Sequence, residues 1–137
     1  MNPNYPAAHY HLGLVLSAQR DTAGAIAEYH AALALNPNMP DALNNLAWIL
    51  ATDKRDEFRR GTEAERLARH ACELTQFQEP ILVGTLGAAC AEAGDFDQAV
   101  TNAMRARDLA TARGMKDVAA KNEELLKLFR ARQPVRE

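Results

Sequence analysis

The phrase Asn2-Pro3-Asn4-Tyr5-Pro6-Ala7-Ala8 returns as Asn36-Pro37-Asn38-Met39-Pro40-Asp41-Ala42, and the two align position by position at a displacement of 34 residues. A period of that length marks one supersecondary unit copied along the chain, and a unit so small cannot bury its apolar side alone. The sequence therefore reads as a stack of short units sharing one core, with stability drawn from the stacking. Aromatic residues make up only 6% of the 137, while hydrophobic residues reach 47%. With Ala and Leu abundant, that balance favours close helix contacts over a sheet core of large β-formers. The expected fold is all-α, in a single domain spanning 1–137.

Apolar spacing supplies the helices. Tyr10, Leu12, Leu14, Val15 and Leu16 form a helical pattern that Pro6 is suited to begin. Asp21 then offers an N-cap oxygen, and Ala25, Ile26, Tyr29, Ala32 and Leu33 recur at three- and four-residue steps until Asn36-Pro37 stops them. A second pair starts at Pro40 with Leu43, Leu46, Ala47 and Leu50, and continues with Ala64, Ala68, Ala71 and Leu74. Its connection is five residues too long for the period, which places an insertion at about 52–61. A solvated loop with Phe58 tucked against the stack is the expectation there, followed by a capping box between Thr62 and Glu65. The third pair runs from Pro80 through Val83, Leu86 and Cys90, turns at Gly94-Asp95-Phe96, and continues with Ala99, Ala103, Ala106 and Leu109 to Gly114.

Residues 115–133 follow a different pattern. Val118, Leu125, Leu126 and Phe129 make one apolar stripe, while Lys121, Glu123, Glu124 and Lys127 face elsewhere, and Pro134 ends the helix. A stacked array needs a last element with a polar outer side, so this helix reads as a cap.

Leu12, Gly13, Leu16, Ala25, Tyr29, Ala32 and Pro37 stand where the tetratricopeptide repeat places its consensus residues, and the chain resembles that family. The resemblance implies a right-handed α-solenoid of antiparallel helix pairs: repeats at 6–39, 40–79 and 80–114 and a capping helix at 115–133. Residues 1–5 then read as the tail of an upstream repeat, and the whole as the C-terminal fragment of a longer, bacterial-type array. Two positions depart from the family: His9 replaces a frequent large aromatic, and Arg20 replaces a frequent turn glycine.

The family's work is protein–protein interaction, with a peptide or partner domain held along the concave face made by the first helix of each pair. Carried onto this chain, that face is lined by Tyr10, Leu14 and Ser17, then Asn44, Asn45, Trp48 and Ala51, then Ile81, Gly84, Thr85 and Ala88. Tyr10, Leu14, Asn44, Asn45, Trp48 and Thr85 are the proposed peptide-binding residues, the aromatics supplying area and the amides bonding main chain. Asn45 stands where some relatives, including the arrays of O-linked N-acetylglucosamine transferases, hold ligand main chain. His11 and Thr85 occupy the corresponding sites of the neighbouring units, so the ladder is incomplete. The basic residues that clamp a terminal carboxylate in chaperone adaptors are replaced by Tyr10, Leu14, Ile81 and Thr85. Structural alternatives stand beside these roles: Trp48 packing on Phe58 at the root of the insertion, and Asn45 bonding between helices.

Other classes find little support. The four histidines include His9 and His11, which diverge on a helix, and Ser17 is the only serine. Neither a metal-ligand spacing nor a phosphate loop is present, so no catalytic residue, metal or cofactor is expected. Cys72 and Cys90 sit in apolar helical patterns and read as buried thiols. Residues 101–137 hold nine Lys/Arg against five Asp/Glu, but acids interrupt the bases and Phe129 is the one aromatic, which argues against nucleic acid. No run approaches the ~18 apolar residues of a membrane helix, so a soluble segment is expected, with the cytoplasm favoured. The alternatives to peptide binding are an architectural solenoid that self-associates through its uncapped N-terminal helix pair, and a targeting arm for an enzyme, such as a glycosyltransferase, encoded upstream.

Overall fold

A computed structural model describes residues 5–137. Residues 1–4, with most of the segment assigned to an upstream repeat, lie outside the described residues. The order is α1 Pro6–Ala18, α2 Thr22–Leu35, α3 Pro40–Thr52, a 3₁₀ turn Asp56–Phe58, α4 Gly61–Leu74, α5 Pro80–Glu92, α6 Phe96–Ala112 and α7 Lys116–Arg130, with no strand among the described residues. The fold is an all-α helical repeat solenoid, as the periodicity requires.

Local chemistry sets most of the boundaries. Proline opens α1, α3 and α5, where its missing N–H would have no partner in any case. Asp21 caps α2 by accepting from the Gly24 amide at 2.9 Å, and Asp95 caps α6 by accepting from the Gln98 amide at 3.1 Å. The start of α4 differs from expectation. Arg60 is its N-cap and makes no side-chain cap bond, so Thr62 lies inside the first turn and the Thr62–Glu65 box is not formed. Tertiary contact decides here: the Arg60 amide donates to the Leu50 carbonyl at 2.8 Å, and a side chain on Gly61 would stand 2.9 Å from the Glu92 carbonyl and the Ala93 amide. Only glycine lets α4 start so close to the end of α5. Glu65 accepts instead from Arg69, at 3.0 Å.

The helices pack as consecutive hairpins, α1 on α2, α3 on α4 and α5 on α6, with α3 beside α5 and α7 resting on α6 and along α5. Tyr29, Leu46, Leu86, Leu126 and Phe129 are the large side chains at the centre. Within the first hairpin the close crossing is made by Gly13, where an added Cβ would come within 2.6 Å of the Tyr29 ring. The α1–α2 turn carries Arg20 at φ 63°, a left-handed conformation that costs a residue bearing a Cβ. Arg20→Gly is therefore expected to raise the unfolding free energy by ~0.5–1 kcal/mol, read as a higher urea midpoint at unchanged slope; a lower midpoint would contradict the strain.

The end of the chain departs most from its sequence reading. Helix α7 closes at Arg130, short of the expected 133, because Arg132 turns left-handed at φ 57° and the Gln133 amide returns to the Leu128 carbonyl at 2.9 Å. Residues 134–137 then run back over the ends of α3 and α5. Val135 is 4% exposed, the Glu137 amide donates to the Thr52 carbonyl at 2.7 Å, and Arg136 donates to Glu92 at 2.8 Å.

Candidate functional site

The odd-numbered helices share one side of the stack and enclose a cleft of about 660 Å³. Each contributes a short stretch, because residues three and four apart on a helix fall on one face. Leu14 and Ser17 come from α1; Asn44, Asn45 and Trp48 from α3; Ile81, Gly84 and Thr85 from α5. Tyr29 reaches the cleft from α2, and α7 adds Asp117, Val118, Lys121, Asn122 and Leu125. Of the six residues singled out in the sequence, Leu14, Asn44, Asn45, Trp48 and Thr85 line this space.

Tyr10 does not. Its ring lies 6.1 Å from that of Tyr29, and its hydroxyl accepts from Asn45 at 3.5 Å. Asn45 thus bonds between helices, weakly at that distance. Asn44 donates in turn to the Asn45 side-chain oxygen at 3.4 Å. Burial pushes the Tyr10 hydroxyl pKa above its ordinary value, helped by the nearby Asp41, and burial does the same for Tyr29. Both phenols therefore stay neutral and can donate as well as accept. Thr85 is 4% exposed and gives its hydroxyl hydrogen to the Ile81 carbonyl at 3.1 Å, so it offers the cleft chiefly its apolar surface. Ala51 and Ala88 are core residues and do not face the cleft.

Trp48 does not pack on Phe58. Its indole N–H donates to Glu137 at 3.2 Å, and the Lys121 ammonium sits 5.9 Å from its ring centroid, within cation–π range. Phe58 lies under the Arg55 guanidinium, 4.5 Å from ring centre to Arg55 Cζ, and shares a small recess with Ala23, Ile26 and Leu50 of the first two hairpins. The insertion is pinned by Asp53, whose carboxyl pKa is held below its ordinary value chiefly by the hydrogen bond from Arg55.

The wall supplied by α7 was not anticipated. Its signal was Asn122, four residues beyond Val118 and three before Leu125, a polar residue on the apolar stripe. Asn122 is 2% exposed; its amide nitrogen donates to the Val118 carbonyl at 2.9 Å, while its oxygen is buried against Gly84 without a hydrogen-bond partner. The Asn44 oxygen is likewise buried and unpaired. An unpaired buried acceptor costs ~1–3 kcal/mol, so both amides are held beneath the cleft surface at a cost to stability.

Both cysteines are buried and free. Burial pushes the Cys72 thiol up to about 11 and the Cys90 thiol up to about 12. In the unfolded chain each ionises first, so their contribution to stability is full below pH ~8.5 and declines as pH rises towards the folded values. At pH 8 a disulfide thiol reagent is expected to leave both unmodified in the folded protein and to modify both in denaturant. Rapid labelling without denaturant would refute their burial. Among the described residues no group of three His, Cys, Asp or Glu is placed to hold a metal ion, and no helix is long and apolar enough to cross a membrane.

A family model described as tetratricopeptide repeat matches residues 1–40 and 10–65. No curated protein matches the chain by sequence. Among solved structures, one titled "Functional Characterization of Pseudomonas Aeruginosa pilF" superposes with a TM-score of 0.61 at 22% identity. The superposition covers 93% of this chain and 62% of that one, so this chain spans less than two thirds of its structural neighbour. At that identity the likeness concerns the fold.

Proposed function

The chain is a tetratricopeptide-repeat protein, and from that premise we propose that it holds an extended segment of a partner protein in the cleft between its odd-numbered helices. One observation carries this reading: the four helices bring an exposed Leu14, a half-buried Trp48 and the amide side chains of Asn44 and Asn45 to a single open cleft of about 660 Å³. A space of that size suits a few side chains of a peptide, with apolar walls for area and few polar groups for register. Trp48 is the natural anchor, since an aromatic ring loses little freedom on binding.

The test is a selection of unstructured ten-residue peptides on the immobilised protein, with each selected peptide then titrated while Trp48, the only tryptophan, reports by its emission. Leu14→Asp, placing a charge on the apolar wall at an already exposed site, is expected to weaken such peptides about tenfold or more. Peptides that bind the variant and the unaltered chain alike would remove the cleft from consideration.

A second reading rests on the exposed apolar residues of the first helix and its start, Tyr5 at 62%, Leu14 at 38% and Val15 at 49%. An apolar helix flank of that kind suits self-association. Sedimentation over a range of concentrations separates the two, a groove binder keeping constant mass and a self-associating chain gaining it.

A further inference from the structure

The chain's own residues reach the rim of the cleft, where Glu137 meets two lining side chains, Trp48 and Lys121. Residues 134–137 lie over the end of α3 outside any helix or strand, and Val135 and Glu137 both turn towards the stack. Val135 enters the core cluster, and two residues on, the Glu137 carboxylate accepts from the Trp48 indole at 3.2 Å and from the Lys121 ammonium at 2.6 Å. Its main-chain amide meets the Thr52 carbonyl at 2.7 Å, at the C-terminal end of α3, where carbonyls have no partner within the helix. One apolar side chain, one backbone hydrogen bond and one carboxylate are together what a bound peptide would present.

We propose that Trp48 and Lys121 form a carboxylate-recognising subsite of the cleft, that Glu137 fills it as a tethered occupant, and that an acidic segment of a partner protein binds by displacing residues 134–137. The proposal extends the cleft reading above by naming the charge of the ligand. The partner's segment carries a small apolar side chain and, two residues later, Glu or Asp. Exchange is easy at the acidic end, because Lys121 and Glu137 are each 45% exposed and such pairs hold weakly. It is harder at Val135, which is buried. The tether keeps Glu137 at high local concentration, so a weak acidic ligand is masked in the unaltered chain. Arg136 strengthens the strap through Glu92, which also meets Arg59 at 3.4 Å.

The probe is the free peptide Gln-Pro-Val-Arg-Glu, blocked at both ends so that its only carboxylate is the glutamate side chain. Titrated into the full chain carrying Val135→Ser and Glu137→Gln and followed by Trp48 emission, it is expected to bind at least about fivefold more tightly than to the unaltered chain. Replacing its glutamate by glutamine, or Lys121 by glutamine in the protein, should each remove about fivefold of affinity. Failure to bind the loosened chain, or equal binding of the acidic and amide peptides, overturns the proposal. Because Val135→Ser touches the core, Glu137→Gln alone serves as the second variant: it keeps Val135 and should shift Trp48 emission with no ligand present, and an unchanged spectrum also overturns the proposal. If these experiments fail while Leu14→Asp still weakens selected peptides, the subsite is lost and the cleft stands. If acid-dependent binding holds while Leu14→Asp has no effect, the subsite stands and the wider cleft is lost.

Discussion

Phe129→Ala is expected to lower the unfolding free energy by ~3–5 kcal/mol, a large share of the ~5–15 kcal/mol that holds a domain of ordinary size. The Phe129 ring is 1% exposed and lies 3.5 Å from the point where a Cβ on Gly87 would stand. Gly87 has no side chain to move into the space left behind, so the cavity stays open and most of its cost is felt. Leu125→Ala at the same interface is expected to cost ~2–5 kcal/mol, and it also opens the cleft wall that Leu125 lines. Urea unfolding followed by far-UV circular dichroism measures both. A loss below ~1 kcal/mol for Phe129→Ala would mean that α7 is not part of the cooperative core.

Phe129 was also the easier kind of residue to read. Its place on the stripe with Val118, Leu125 and Leu126 follows from helical spacing alone, and the pairing of α1 with α2 follows from the 34-residue repeat. Caps were legible wherever they were local, as at Asp21 and Asp95. The start of α4 was not, because a contact with the end of α5, more than thirty residues away in sequence, outweighed the Thr62–Glu65 signal. The cleft was half legible. The faces of α1, α3 and α5 follow from the repeat, and their residues come together at one cleft. Tyr10 stands beside this lining rather than in it, with its ring near Tyr29 and its hydroxyl on Asn45. The contact of Trp48 with Glu137 could not be read, because residues 134–137 carry no periodicity and a short strap of this kind leaves no pattern in sequence. Asn122 was not singled out, although its spacing puts it on the apolar stripe, where it is buried.

Tyr29→Ala is expected to lower stability by ~3–5 kcal/mol and to split unfolding into two steps. Tyr29 is 1% exposed, fills the crossing opposite Gly13, and faces both Tyr10 and the cleft. The first hairpin joins the rest mainly through α2 on α3, a less extensive contact than α4 on α5. In a stack whose units touch only their neighbours, weakening one terminal unit lets it open while the others persist. The first step should remove α1 and α2 at low denaturant and reduce helicity without exposing Cys72 or Cys90 to a thiol reagent; the second should expose both. Since Leu14 and Ser17 leave the cleft in the first step, peptide affinity should be lost there, while the contact of Trp48 with Glu137 on α3 survives to the second. Coincident loss of helicity and thiol protection in one transition would mean that the hairpins melt as a single unit, and that the α1 wall of the cleft is as firmly held as its floor.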